Sequence, residues 1–226
     1  MSRSVVGGLL ALLVIALPLT ATADDLTGFG GIGFRGGLSK FGSEANTPLS
    51  LTNNQPLSDG TKPRLSGDLI FTYVFGSHVW GDVTVGYAWN RLDTNDNRFW
   101  LESAVPITGG LRYLLHEGRT MRPYVGAGGG FYVWSIQSKD LGAAKDPSTF
   151  ERFRRADPGF YGMVGVERTM SKHISTTADA VYHHIFAQNT ADFPSGYNGN
   201  KSYAQIRLGV TFYFTLSERI DTGLPE

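Results

Sequence analysis

The feature that most constrains this chain is a two-residue alternation near its C-terminus. Side chains of a β-strand point alternately to opposite faces, so this pattern predicts a strand with one continuous apolar face. That face consists of Ala204, Ile206, Leu208, Val210, Phe212 and Phe214, and the residues between them are small, polar or aromatic. Seven earlier segments between residues 31 and 183 repeat the alternation, so we predict eight strands. The 29 glycines argue against helices, because glycine destabilises a helix interior.

The connections between these segments alternate in length. Short connections lie near residues 76–77, 116–119 and 170–172, whereas long ones cover residues 42–62, 91–98, 137–157 and 188–200. An even number of strands with short turns at one end and long loops at the other is typical of a barrel that crosses a membrane. Such a barrel must close, because an open sheet edge has no hydrogen-bond partners in lipid.

The first 23 residues have the pattern of a secretory signal peptide. Arg3 precedes an apolar stretch over residues 5–17, and Ala21-Thr22-Ala23 forms a small-residue cleavage site. The apolar stretch is short for a membrane helix, which needs about 20 residues. We therefore predict a cleaved signal peptide over residues 1–23, a barrel over 24–214 and a short periplasmic tail over 215–226, with export to the bacterial outer membrane.

The two faces of the strands decide which side of the barrel meets lipid. The face opposite the apolar one, here called the minority face, carries seven charged residues: Arg35, Asp68, Asp82, Arg112, Glu167, Asp179 and Arg207. On the apolar face, the aromatic residues fall into one zone near the short turns and another near the long loops, as in interfacial girdles. A soluble barrel with an apolar interior would not need this segregation. We therefore predict that the apolar face points outward and the charged face lines the lumen.

The charged residues form opposite-sign pairs on neighbouring predicted strands. These pairs are Arg35 with Asp68, Asp82 with Arg112, and Asp179 with Arg207. The interior of an eight-stranded barrel is just wide enough for side chains to fill it, and buried charges are costly unless they are paired. We therefore predict a lumen plugged by salt bridges. The alternative is a gated lumen that conducts protons or ions.

Other function classes have little support in the composition. Twenty basic and twenty acidic residues provide no net charge for nucleic-acid binding, and the absence of cysteine excludes disulfides, thiol catalysis and cysteine-ligated metals. His183 and His184 near a long loop could serve a lipid A hydrolase, but Ser195 has no catalytic motif around it. His78, His116 and His173 fall in the short turns, where we expect solvated residues rather than a metal or pH-sensing cluster. We predict no catalytic residue, metal or cofactor.

One group of loop cations could contact lipid. Arg152, Arg154 and Arg155 lie in the third long loop, which we place just above the outer leaflet. There they could bind lipopolysaccharide phosphates through charge-assisted hydrogen bonds, although an ordinary solvated loop would have the same composition.

The chain resembles the small eight-stranded outer-membrane barrels grouped around the OmpA transmembrane domain, OmpX and OmpW. The resemblance covers residues 26–214 and rests on the strand count, the loop asymmetry, the interior charges and the segments 180–186 and 209–214. It implies an all-β, closed, antiparallel up-and-down transmembrane barrel with short periplasmic turns and four longer extracellular loops. It also implies a mainly structural or surface-interaction role, with a narrow OmpW-like channel or a lipid A-modifying hydrolase as alternatives.

The resemblance also implies partners. These are outer-membrane lipid, lipopolysaccharide and the barrel-assembly machinery, which would read Phe214 as the terminal aromatic of the last strand, and a monomeric state is expected. The chain departs from the family because twelve residues follow Phe214. Twelve residues cannot form the peptidoglycan-binding domain that follows the OmpA barrel.

Overall fold

A computed structural model describes residues 26–42, 62–93, 99–116, 120–138, 142–194 and 199–216. Within them the fold is all β, and no helix there is long and apolar enough to cross a membrane. The strands are β1 (Phe29–Phe41), β2 (Arg64–Val74), β3 (Val79–Asp93), β4 (Phe99–Leu114), β5 (Met121–Ser138), β6 (Gly142–Ala143), β7 (Arg154–Ser171), β8 (Ile174–Ile185) and β9 (Lys201–Thr215).

Eight of these strands close into an antiparallel barrel. Each barrel strand pairs with its neighbours in chain order, β4 pairs with β5, and β9 closes the cylinder against β1. The two-residue β6 only extends the end of β5, at the long-loop end of the barrel. The predicted eight-stranded up-and-down barrel is therefore confirmed. Its short connections lie between β2 and β3, β4 and β5, and β7 and β8.

The registers fix the geometry of the cylinder. Following paired residues round the barrel leads from Gly30 through Tyr73, Gly81, Leu111, Ala127, Gly162, Tyr182 and Ala204 to Lys40. The circuit returns to β1 ten residues further along the strand than it began. An offset of ten residues over eight strands tilts the strands by roughly 40° from the barrel axis. Residues at equal depth are therefore not direct pairing partners.

The outer surface is apolar, as predicted. Along every barrel strand the exposed residues alternate with buried ones, and the exposed set includes Ile32, Leu69, Val83, Leu111, Val164 and Ile206. Exposed aromatic side chains lie in two zones, with Phe75, Tyr113 and Phe212 near the short turns and Tyr87, Phe131, Phe160 and Tyr182 towards the long loops. The orientation inferred from the sequence is confirmed, since the buried side chains include the charged ones.

Glycines on the inner face make room for interior side chains. A Cβ on Gly165 would lie 2.8 Å from the ring of Tyr124, and one on Gly159 would lie 2.7 Å from the ring of Tyr132. These strands therefore accept buried tyrosines only because the facing position has no side chain. This explains why the minority face of the sequence combines glycine with tyrosine.

One sequence boundary was wrong. The third long loop was expected to extend to Asp157, but β7 begins at Arg154, because Ser135 and Trp134 of β5 pair with Arg154 and Arg155. Arg154 and Arg155 are thus strand residues, and Arg152 forms an isolated bridge with Lys145. The proposed signal peptide (1–23), residues 217–226 of the tail, and Ser195 lie outside the described residues.

Candidate functional site

The centre of the lumen holds a group of four charged residues, here called the upper tier: Arg35, Asp68, Asp179 and Arg207. Asp179 and Arg207 pair directly across β8 and β9, and the Arg207 Nε atom donates to Asp179 Oδ1 at 2.7 Å. Arg207 also donates to Asp68 Oδ2 at 3.0 Å, and Arg35 donates to Asp179 Oδ2 at 2.9 Å. All four residues are buried. Two guanidinium groups and two carboxylates make the tier neutral as a unit.

A second group, the lower tier, lies towards the short-turn end. It consists of Asp82, Arg112, Arg122 and Glu167, all of them buried. Arg112 bridges the tier, with Nε 2.5 Å from Asp82 Oδ2 and Nη1 3.0 Å from Glu167 Oε2. Arg122 binds the other oxygen of Glu167 at 3.1 Å. This tier too is neutral, and the indole ring of Trp80 lies within about 5 Å of both guanidinium groups.

The partners differ in part from those expected from strand order. Arg35 and Asp68 do lie opposite each other on β1 and β2. The carboxylate of Asp68, however, binds Arg207 of β9, while Arg35 reaches Asp179 on β8. Long side chains inside a narrow barrel meet partners across the lumen as well as on the adjacent strand. Arg122 was missed because the fifth alternating segment was begun at Tyr124, although Arg122 continues the same face.

A layer of hydrogen-bonded rings lies on the long-loop side of the upper tier. The imidazole of His183 is within 3.0 Å of both Tyr132 Oη and Gln205 Oε1. The same ring stacks on Tyr203 at a centroid distance of 4.4 Å. His183 is buried and both ring nitrogens are occupied by these two neighbours. It is therefore a packed lumen residue in this structure.

An aromatic cap closes the long-loop end. Phe153 and Phe193 stack at a centroid distance of 4.8 Å, and the ring of Phe193 also contacts Trp134. All three residues are buried. Arg155 fastens the cap through an ion pair of 3.1 Å with Asp192. A second apolar cluster, which includes Leu26, Trp80, Leu114 and Tyr213, closes the short-turn end.

One small cavity lies beside the upper tier, and residues of the lower tier and of the His183 layer also line it. Its lining includes Arg35, Asp82, Thr108, Tyr161 and His183. The space open to the centre of a water molecule is only about 10 Å³. This is the room that about one buried water molecule needs. Within the described residues, Arg35 Nε and Nη2 have no hydrogen-bond partner, so a single water here would satisfy a buried donor.

The remaining histidines are dispersed. His184 faces outward between the rings of Phe160 and Phe186. In the short turns, His78 stacks on Tyr113, His173 Nδ1 donates to the carbonyl oxygen of Tyr213, and His116 is exposed. Across the described part of the chain, no three His, Cys, Asp or Glu side chains are placed to hold a metal ion.

The other predicted site residues lie at the two rims. Arg152 and Arg154 are exposed at the long-loop end, whereas Arg155 is half-buried and is bound to Asp192 and Asp157. Phe214 ends the outward-facing row of β9 at the short-turn rim, where it pairs with Gly30.

Comparison with known proteins identifies the architecture. The family described as outer membrane protein beta-barrel domain matches residues 8–214. The fold is similar to that of neisserial surface protein A (TM-score 0.52, 12% identity, covering 83% of this chain and 98% of that one). Two more distant similarities are the outer membrane protein AlkL (TM-score 0.48, 16% identity, 91% and 98% covered) and Ail of Yersinia pestis (TM-score 0.46, 14% identity, 83% and 99% covered). No curated protein sequence matches this chain significantly. Because the family match covers most of the chain, the protein belongs to the outer membrane protein beta-barrel domain family of the bacterial outer membrane.

Proposed function

We propose that this protein is a closed outer-membrane barrel that conducts no solute and acts through its extracellular surface. The observation that carries the proposal is the filling of the lumen by two neutral ion-pair tiers between two apolar caps. In an outer-membrane barrel the long loops are extracellular, so the aromatic cap faces the outside and the short turns face the periplasm. Any contact with a partner then takes place on the loops or on the outer wall.

The tiers oppose conduction for an energetic reason. Arg207 donates to Asp179 and Asp68 through its Nε, Nη1 and Nη2 atoms. A solute that passes the upper tier would have to separate Arg207 from both carboxylates. Breaking a buried ion pair costs about 3–5 kcal/mol because it leaves an uncompensated charge. The cavity beside Arg35 has room for only about one water molecule.

Conductance in planar lipid bilayers tests this proposal. We expect the purified, folded protein to insert without producing stable current steps, beside a known porin as a positive control. Reproducible steps would instead support the narrow-channel alternative. In that case Arg35→Ala and Arg207→Ala would change the current more than the stability, whereas a structural plug predicts the reverse.

The exposed cations at the extracellular rim support a contact with lipopolysaccharide. Arg154 lies at the start of β7 and its side chain is exposed. It precedes Phe160, a residue of the aromatic zone towards the long loops, by six residues. Arg152 lies further along the loop, whereas Arg155 is held by Asp192. We expect Arg154→Gln to weaken the binding of lipopolysaccharide to the purified protein, while Arg155→Gln has a smaller effect. Equal affinity of wild type and Arg154→Gln would count against this contact.

A further inference from the structure

The third extracellular loop folds into a fixed hairpin, here called the tip hairpin (residues 144–153). Its base is held by hydrogen bonds from Ala144 N to Ile136 O, from Ile136 N to Phe153 O and from Phe153 N to Ala144 O, at 2.9–3.0 Å. Its turn is closed by Phe150 N donating to Asp146 O at 2.8 Å. The carboxylate of Asp146 also accepts hydrogen bonds from the backbone of Ser148 and Thr149.

The tip hairpin is also tied to the neighbouring loop. The hydroxyl of Thr149 donates to the carbonyl oxygen of Asp192 at 2.7 Å, and Asp192 in turn binds Arg155. The side chains of Ala144, Asp146 and Phe153 are buried beneath the turn. The conformation of the turn is therefore set by the protein itself, before any partner binds.

Phe150 is an unfavourable residue for the place it occupies. Its φ of 60° lies in the left-handed region, where glycine or asparagine is usual and a bulky residue is strained. Its side chain is 72% exposed, although it is large and apolar. The other exposed large apolar residues of the described chain lie on, or beside, the outer face of the strands. Among the described residues, no side chain covers most of the Phe150 ring.

The charges beside Phe150 are unfavourable as well. Lys145 and Arg152 form the cross-strand pair of the hairpin, which places two exposed cations directly opposite each other. Like charges in this position destabilise a β-pair. Within the residues described, neither cation takes part in an ion pair, and Glu151 is the one exposed acidic residue of the hairpin. The tip therefore combines an exposed aromatic ring with two exposed cations that face each other.

We propose that the tip hairpin is a recognition element for an acidic protein surface, with Phe150 in an apolar pocket and Lys145 and Arg152 against carboxylates. The inference rests on the proposed surface role and names the partner class for it. Binding would bury the aromatic ring and neutralise the facing cations, so both unfavourable features of the free hairpin become favourable in the complex. Aromatic residues and arginine are also the side chains that most often anchor protein interfaces.

The position of Phe150 favours a protein over a membrane. The lipid-facing residues of β7 end near Phe160, and Arg154 already lies beyond them along the strand. Phe150 lies beyond Arg154, on a turn that packs over the lumen towards Asp192. The base of the tip hairpin therefore separates the ring of Phe150 from the hydrocarbon of the membrane. Because the hairpin is already ordered, it would lose little conformational entropy on binding.

Selection from a random peptide library displayed on phage tests the proposal. The full-length protein, folded in detergent, is the target for selection, and the Phe150→Gly variant is the target for counter-selection. We expect peptides that combine apolar residues with Asp and Glu, and that bind Phe150→Gly at least about tenfold more weakly. Lys145→Glu and Arg152→Glu should each reduce the same binding, whereas Lys40→Glu, an exposed cation on the outer face of β1, should not.

The glycine variant separates recognition from a structural role. Glycine accepts a φ of 60° without strain, so Phe150→Gly should fold as well as the wild type and show the same protease resistance of its loops. Three outcomes would overturn the proposal: loss of hairpin protection in Phe150→Gly, peptides that bind both proteins equally, or no enriched peptides. Phe150-dependent binding of heparin or of lipopolysaccharide vesicles instead of peptides would also overturn it. A conducting channel in planar bilayers would contradict the proposed function without bearing on these peptides.

Discussion

Asp179 and Arg207 face each other across β8 and β9, and the carboxylate binds the guanidinium group through both of its oxygens, at 2.7 and 3.2 Å. A side-on pair of this kind combines charge with fixed geometry. Arg35 and Tyr124 also donate to the same carboxylate, at 2.9 Å each. Asp179 is therefore the acceptor on which the upper tier is centred.

Removing one partner of this pair should destabilise the barrel strongly. Asp179→Ala leaves Arg207 and Arg35 short of an acceptor in a buried site, so we expect a loss of about 3–5 kcal/mol in the free energy of unfolding. Urea titration of the refolded protein in detergent or lipid vesicles measures it, with Lys40→Ala as an exposed control. The double variant Asp179→Asn/Arg207→Gln should lose less than the sum of its single variants. Additive losses would show that the pair is not coupled.

Two glycines at similar depth should respond in opposite ways to alanine. A Cβ on Gly128 would fall against Gly109 O and 2.7 Å from both Gly110 Cα and the ring of Tyr161, whereas one on Gly162 meets nothing within 4 Å. We expect Gly128→Ala to prevent formation of the folded, heat-modifiable gel band and Gly162→Ala to preserve it. Similar migration of the two variants before and after boiling would contradict the packing of Tyr161 against β4 and β5.

The aromatic cap should open without opening the lumen. Phe193→Ala removes the ring that packs against Phe153 and Trp134, a change that costs about 3–5 kcal/mol when such a residue is fully buried. We expect faster hydrogen exchange in residues 142–154 and 186–194, measured by mass spectrometry. Phe186→Ala, at an outward-facing position of the same loop, is the matched control. Conductance should remain absent, since both ion-pair tiers persist, and current through Phe193→Ala would mean that the cap alone seals the barrel.

Phe214 should matter for assembly more than for stability. Its side chain is partly exposed at the periplasmic rim of β9, and the resemblance to small outer-membrane barrels implies that the assembly machinery reads it. We expect Phe214→Ala to lower the amount of folded protein in the outer membrane of cells, while refolding of the purified variant in detergent is unchanged. Phe212→Ala, two residues earlier on the same face, serves as the control. An equal loss for both variants would assign Phe214 a packing role only.

The strands, their number and their orientation could be predicted because each depends on a local pattern. The period of two in residues 203–214 requires a strand, and the segregation of charged from apolar residues decides which face is inside. The opposition of Asp179 and Arg207 also follows from the chain, since the loop between them sets the register of one hairpin. These features need no knowledge of the remaining strands.

Contacts across the lumen could not be predicted in this way. The choice of Asp179 rather than Asp68 as the acceptor for Arg35 depends on the offset of ten residues and on the reach of side chains from β8 and β9. Arg122 was missed because the proline that follows it, Pro123, obscured the start of β5. The strain at Phe150 could not be predicted either. The sequence Asp146-Pro147-Ser148-Thr149 indicates a turn, but it does not determine the φ of the next residue.

The neutrality of each tier has a consequence for engineering. Arg35, Asp68, Asp179 and Arg207 could be exchanged together for small uncharged residues without stranding a charge, and the same holds separately for Asp82, Arg112, Arg122 and Glu167. Each tier could therefore be replaced as a unit without leaving an unpaired charge in the lumen. Replacing one tier with small residues would make room for a ligand in the lumen, while the ion pairs of the other tier would still connect the strands.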